Sequence, residues 1–239
     1  HAGAGRPTAV SGRTQLMVSL PAPVGLFGGS FDPVHVGHLR TAWELLTDLA
    51  LAEVRFIPSR MPPHRAAAIG SAAQRLGMLE ASIAGQPGFV VDDCELRREG
   101  TSYTVDTLLS LRASQPQTPL VLILGMDAFL GLPGWHRWRE IPDLAHIVVV
   151  ERPGWTPQFE GELGQLYTER QLHEAAVLRA APAGGILLRQ VTQLQIASSA
   201  IRRLIAAGGD PRFLVPDSVR ELIQANRIYL RPKEVQSRA

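Results

Sequence analysis

Apolar residues along this chain fall into short runs, separated by stretches whose apolar positions have helical spacing. Val24–Phe27 is a compact apolar run and reads as a buried strand. Leu39–Leu51 reads as the first helix, and Val54–Pro58 as the second strand. Ser71, with Gln74 three residues on, is a capping box that opens a helix to about Ala84. Phe89–Val91 is a third strand. Within Tyr103–Ala113, Val105, Leu108, Leu109 and Leu111 form a helical stripe. Leu120–Leu124, Ile147–Val150 and Ile186–Leu188 are the fourth, fifth and sixth strands. The polar stretch Glu160–Ala180 predicts a helix. Ser198–Ala207 predicts another, ended by Gly208 and Gly209. Asp217–Asn226 is the last.

Strands alternating with helices predict an α/β fold: a doubly wound, Rossmann-like parallel sheet with helices on both faces. A small helical part closes its C-terminal side. Ligands of such sheets lie beyond the carboxyl ends of the strands, where the strand order reverses. The expected organisation is one domain over residues 24–230 and a flexible tail over 231–239. Residues 1–23 carry Gly, Ala, Pro, Ser and Thr with Arg6 and Arg13 and no acidic residue. They read as a disordered leader or an expression remnant, with an Arg-rich transit peptide as the sharper alternative. Gly154–Gly185 is the most loop-like interior stretch and is expected to be a partly mobile insertion. No internal repeat is present.

The chemistry concentrates in Gly25-Leu26-Phe27-Gly28-Gly29-Ser30-Phe31-Asp32-Pro33-Val34-His35-Val36-Gly37-His38. A strand runs into two glycines and an Asp-Pro turn. Two histidines then bracket Gly37 just ahead of the predicted helix. Glycines admit a ligand close to the backbone, and free amides at a helix start bind anions. Imidazoles add donors that can become cationic. Together these parts suit a polyphosphate. Taken on spacing alone, a turn with two surface histidines or half of a metal site competes. The glycine spacing does not fit a dinucleotide-binding G-x-G-x-x-G, nor a P-loop, whose lysine is missing: Lys233 is the sole lysine.

Composition narrows the field. The 239 residues suffice for a full core, with 45% hydrophobic and 19% charged residues. Net charge is +2, and no block of like charges reads as a nucleic-acid arm. Cys94 is the only cysteine, which excludes an internal disulfide and a Cys-based metal cluster and fits a reducing cytosol. No apolar run reaches transmembrane length. The expectation is a cytoplasmic protein of small-molecule partners, without nucleic acid or membrane, its oligomeric state left open.

The string Gly-Gly-Ser-Phe-Asp-Pro-Val-His-x-Gly-His resembles the signature of the nucleotidyltransferases that carry a His-x-Gly-His motif. Four further segments follow in order. They are Pro62-Pro63-His64-Arg65; Ser102-Tyr103-Thr104-Val105-Asp106-Thr107; Gly125-Met126-Asp127-Ala128 with Trp135-His136-Arg137-Trp138; and Ser198-Ser199-Ala200-Ile201-Arg202. Each is weak alone; five in order are specific. With them the chain is similar to the bacterial nicotinate-mononucleotide adenylyltransferases, from about Val24 to Tyr229 apart from Gly154–Gly185.

The resemblance implies a substrate pair, ATP and nicotinate mononucleotide, joined with release of pyrophosphate and without a protein nucleophile. It implies that His35, His38 and Arg202 carry catalysis. Phe27, Gly28, Gly29, Ser30, Ser198 and Ser199 would complete the ATP site with them. His64, Arg65, Tyr103, Thr104, Asp127 and Trp135 would hold the mononucleotide, with Tyr103 and Trp135 sandwiching its ring. Mg²⁺ would accompany the phosphates, with no protein ligand assigned. The second signature departs from the family at Ala197, where a hydroxyl residue is usual, so that one phosphate contact is lost or passes to Ser198. Two rivals share parts of the pattern: a pantetheine-phosphate adenylyltransferase, and a nucleotide-sensing module that binds without catalysis.

Overall fold

The computed structural model describes residues 20–60, 68–151, 158–192 and 194–230. Seven parallel strands form one sheet in the order β3-β2-β1-β4-β5-β7-β6. They are β1 (Val24–Gly29), β2 (Glu53–Pro58), β3 (Phe89–Val91), β4 (Leu120–Gly125), β5 (His146–Glu151), β6 (Gln171–Leu172) and β7 (Ile186–Gln190). The helices are α1 (Val36–Asp48), α2 (Ala72–Ile83), α3 (Cys94–Arg97), α4 (Thr104–Ser114) and α5 (Met126–Leu130). They continue with α6 (Ile141–Leu144), α7 (Gly161–Arg170), α8 (Ser198–Ala206) and α9 (Asp217–Ala225).

Successive strand side chains point to opposite faces, so a fully buried strand must be apolar throughout. β4 shows the consequence. Val121 and Ile123 join a core with Ala42 and Leu45 of α1, Met78 and Leu79 of α2, Ile201 of α8 and Val219 of α9. Leu120, Leu122 and Leu124 join the opposite core, with Val105 and Leu108 of α4, Phe129 of α5 and Leu163 of α7. The sheet is therefore covered on both faces, as expected. No helix among the described residues is long and apolar enough to cross a membrane.

The capping box at α2 forms: Gln74 N donates to Ser71 Oγ at 3.2 Å, and Ser71 N to Gln74 Oε1 at 2.9 Å. Two expectations are corrected. The first helix begins at Val36, not Leu39, so His35 is its N-cap and His38 lies inside its first turn. A long-range bond fixes that start, Val36 N donating to Leu214 O at 3.0 Å. The polar stretch Glu160–Ala180 is not one helix. It divides into α7, the short strand β6 and a 3₁₀ turn over Ala175–Arg179. Sheet pairing ends the helix, since Gln171 and Leu172 pair with Ile186 and Leu187. Gly185 permits this, because a Cβ there would lie 2.3 Å from Leu172 Cδ1. The described part of the expected insertion is thus ordered structure on the edge of the sheet.

Candidate active site

The strand order runs outward from β1 to β2 and β3 on one side, and from β4 to β5, β7 and β6 on the other. The carboxyl ends of β1 and β4 therefore flank the crevice at which this topology binds ligands. Gly28 is exposed at the end of β1, and Gly125 at the end of β4. Both leave backbone uncovered there.

Beyond β1 the chain turns through Phe31, a buried residue with φ 46. A left-handed phenylalanine costs of order 1–3 kcal/mol and survives only where packing dictates it. Here its ring meets Phe27 at 6.0 Å, Phe56 at 5.8 Å and His38 at 5.1 Å, all edge-to-face. The turn is consequently stiff, and it aims the imidazoles.

His35 and His38 lie face to face, with ring centroids 3.7 Å apart and planes 23° from parallel. Gly37 makes the room, since a Cβ there would sit 3.1 Å from His35 Nδ1. His35 is 6% exposed, and its Nδ1 is buried with no hydrogen-bond partner among the described residues. Burial pushes its pKa down to about 4, so the ring is neutral at pH 7. His38 Nδ1 accepts from the His35 backbone N–H at 3.3 Å. A neutral His38 therefore carries its proton on Nε2, as a donor.

The second signature closes on the same turn. Ala197 is the N-cap of α8 and Ser198 its first residue. The Ser198 hydroxyl donates to Pro33 O at 2.9 Å. Arg202, one turn later and 24% exposed, donates from Nη1 to Asp32 O at 2.6 Å and lies 3.5 Å from the Asp32 carboxylate. Ser199 is exposed at the helix start. The structure thus brings Phe27, Gly28, Gly29, Ser30, His35, His38, Ser198, Ser199 and Arg202 to one end of the sheet. The start of α8 adds amides suited to an anion.

A second group comes from the connections after β3 and β4. Tyr103 is the N-cap of α4, and Thr104 its first residue. Asp127 is exposed in the first turn of α5. Trp135 is half-buried against the core that α4 and α5 share. The ring set against Tyr103 is His136, at 4.4 Å and 35°, one residue on from Trp135. Burial raises the pKa of Glu95, which accepts from the Thr107 hydroxyl at 2.9 Å. Arg98 also donates to Thr107, at 3.1 Å. These bonds tie α3 to α4 around the loop that presents Tyr103. His64 and Arg65 lie outside the described residues.

Sequence reasoning passed over Asp32, Arg75, Glu95, His136 and Tyr229. Arg75 is buried and donates to Ser30 O at 2.7 Å. A signal for it existed: Arg75 occupies the apolar face of α2 with Met78, Leu79 and Ile83. A cation on such a face must be paired, so it marks a polar cluster beneath. Asp32 is marked only as part of an Asp-Pro turn, and Glu95, His136 and Tyr229 carry no local mark.

Comparison with known proteins places the chain in a family. The cytidylyltransferase-like family model matches residues 26–204. A protein of Aeromonas hydrophila named "Probable nicotinate-nucleotide adenylyltransferase" is 46% identical over 210 residues, covering 88% of this chain and 98% of its own. One of Methylococcus capsulatus, identically named, is 47% identical over 207 residues, covering 86% and 99%. Among solved structures, Plasmodium falciparum nicotinic acid mononucleotide adenylyltransferase complexed with NaAD superposes with a TM-score of 0.65 at 15% identity. It covers 87% of this chain and 98% of its own. At that identity the superposition speaks for the fold.

Proposed function

This chain belongs to the cytidylyltransferase-like family, among the nicotinate-nucleotide adenylyltransferases, and from that premise we infer its reaction. It transfers the adenylyl group of ATP to nicotinate mononucleotide, giving nicotinate adenine dinucleotide and pyrophosphate, a step of NAD biosynthesis. The observation that carries this reading is the closure of α8 on the glycine-histidine turn. It sets Arg202, two imidazoles and two helix starts around the end of β1.

In the transfer, a phosphate oxygen of the mononucleotide forms a bond to the α-phosphorus of ATP. The bond from that phosphorus to the β-phosphate bridging oxygen breaks, and pyrophosphate leaves with the electron pair. The protein's task is positioning and stabilisation of charge on the phosphate oxygens. We assign His38 Nε2–H as a donor to an α-phosphate oxygen. His35, neutral by burial, orients His38 through its backbone N–H and the ring stack. Backbone at Gly28 and Gly29, with Phe27 and Ser30 beside it, lies along the nucleotide. Ser199, the α8 amides and Arg202 take the β- and γ-phosphates. Ser198, whose hydroxyl is engaged by Pro33 O, serves chiefly to dock α8.

The mononucleotide takes the other group. Tyr103 and Trp135 approach its ring, the Thr104 hydroxyl and amide its carboxylate, and Asp127 a ribose hydroxyl. His64 and Arg65 are assigned to its phosphate side on sequence alone. We propose that Mg²⁺ arrives as part of the substrate, Mg–ATP, since such ions bind through phosphates and waters with few protein ligands. We propose a cytosolic location, which fits a sequence with one cysteine and no possible internal disulfide.

The test is pyrophosphate release with ATP and Mg²⁺, offered nicotinate mononucleotide, nicotinamide mononucleotide and phosphopantetheine in turn. Turnover greatest with nicotinate mononucleotide is expected. Turnover with phosphopantetheine alone would place the chain with the sister enzyme, and ATP binding without any product would make it a sensor.

A further inference from the structure

The most heavily bonded side chain at the site is one that no substrate is expected to touch. The carboxylate of Asp32, 2% exposed, sits beneath the turn that carries the histidines. Its Oδ1 accepts from Gly70 N at 2.9 Å and from the Tyr229 hydroxyl at 2.7 Å. Its Oδ2 accepts from Ile69 N at 2.8 Å. Three neutral donors thus hold both oxygens in place before Arg202 is counted. The fit is tight: a Cβ on Gly70 would lie 2.7 Å from Asp32 Oδ1 and 3.2 Å from the Tyr229 hydroxyl.

Tyr229 comes from the far end of the chain. It follows α9 with φ 68, a left-handed conformation that a tyrosine adopts only under constraint. Its ring is buried, and burial together with the Asp32 bond keeps its hydroxyl protonated as a donor. Around the carboxylate, Arg75 and Arg202 are the facing cations. Arg75 is spent on Ser30 O, inside the turn. Among the described residues Arg202 is held through Nη1 alone, to the Asp32 carbonyl at 2.6 Å and its carboxylate at 3.5 Å. One edge of a planar fork is thereby fixed. A guanidinium so held meets an incoming phosphate with less freedom to lose.

We propose that Asp32 and Tyr229 are positioning residues for Arg202, so that the C-terminal segment after α9 is part of the ATP site without touching ATP. Because Ile69, Gly70 and Tyr229 hold both of its carboxylate oxygens, Asp32 is a fixed point against which one edge of Arg202 is set. The proposal rests on the reading that Arg202 binds the triphosphate. If Tyr229 merely anchored the chain end, its hydroxyl would matter to melting temperature and to neither substrate selectively.

The experiment is a double-mutant cycle of Tyr229→Phe and Arg202→Ala, reading kcat, KM for each substrate and Tm. Tyr229→Phe keeps the ring and removes the donor. It is expected to raise KM for ATP by roughly three- to tenfold, in the lower part of the range of couplings within one hydrogen-bond network, with KM for the mononucleotide within about twofold. In the Arg202→Ala background the same change should leave KM for ATP unmoved. An equal effect in both backgrounds, or none in either, overturns the proposal. An Arg202→Ala protein with wild-type KM for ATP overturns the reading of Arg202 itself, and the proposal with it. Should Tyr229→Phe fail to fold, Asp32→Asn enters the same cycle and is judged by the same outcomes.

Discussion

Acidification offers a sharp test of the imidazole pair. His35 has an ordinary value of 6.5, lowered to about 4 by burial. Burial outweighs a backbone hydrogen bond that favours the charged form, and the ring lies on another imidazole. A folded-state value below the unfolded one means that the unfolded chain binds the proton more readily. The stabilisation is present above 6.5 and is lost as pH falls from 6.5 through about 4. At 1.36 kcal/mol per unit the full loss is about 3 kcal/mol, of which ~2 kcal/mol is gone by about pH 5. For a chain of this size that is a fall in Tm of roughly 4–8 °C. Other groups act in the same window. Burial also lowers His146, which adds to the loss, while Glu95 is raised by burial and works in the opposite sense. The measurement is therefore a difference: Tm against pH for wild type and for His35→Gln, between about pH 7 and pH 4.5. The variant can be less stable throughout, but its curve should be flatter by the His35 share. Parallel curves would refute a buried, neutral His35.

Other substitutions separate the roles of the site. His38→Ala should lower kcat by on the order of 10²–10³, the usual cost of one donor to a charge-bearing oxygen. Single-turnover rates with folded enzyme check it; turnover within a few-fold of wild type would exclude the role. Arg202→Ala should raise KM for ATP more than for the mononucleotide, and titrations in the reverse order would move Arg202 to the other substrate. Tyr103→Ala should weaken nicotinate mononucleotide by up to about tenfold, since ring stacking contributes ~0.5–1.5 kcal/mol, with ATP unaffected. Trp135 is half-buried against the core, so Trp135→Ala should lower Tm as well as mononucleotide affinity; a loss of Tm with an unchanged ratio of the two substrate constants would make it a core residue only.

What was legible in the sequence was what is local. β4 could be read because both of its faces are buried, which forces an unbroken apolar run. The α2 cap could be read because its two reciprocal bonds span three residues. The turn at the end of β1 could be read because close backbone approach requires glycines side by side. The start of α1 could not, since it depends on a bond from Val36 to Leu214. Nor could β6, whose two residues become a strand only because Ile186 and Leu187 lie alongside. The same division runs through the site. Residues expected to meet the substrates sit in short motifs, because a phosphate spans only a few ångströms and must be met by neighbours. The residues that hold those motifs in place need not be near them in sequence. Asp32 is joined by Gly70, Arg202 and Tyr229, 38, 170 and 197 positions away. Closing such loops costs entropy that grows only slowly with their length, so distant anchors are hardly dearer than near ones. A buried carboxylate in an Asp-Pro turn is then an address to which any part of the chain can be tied, and the sequence records the address without the sender.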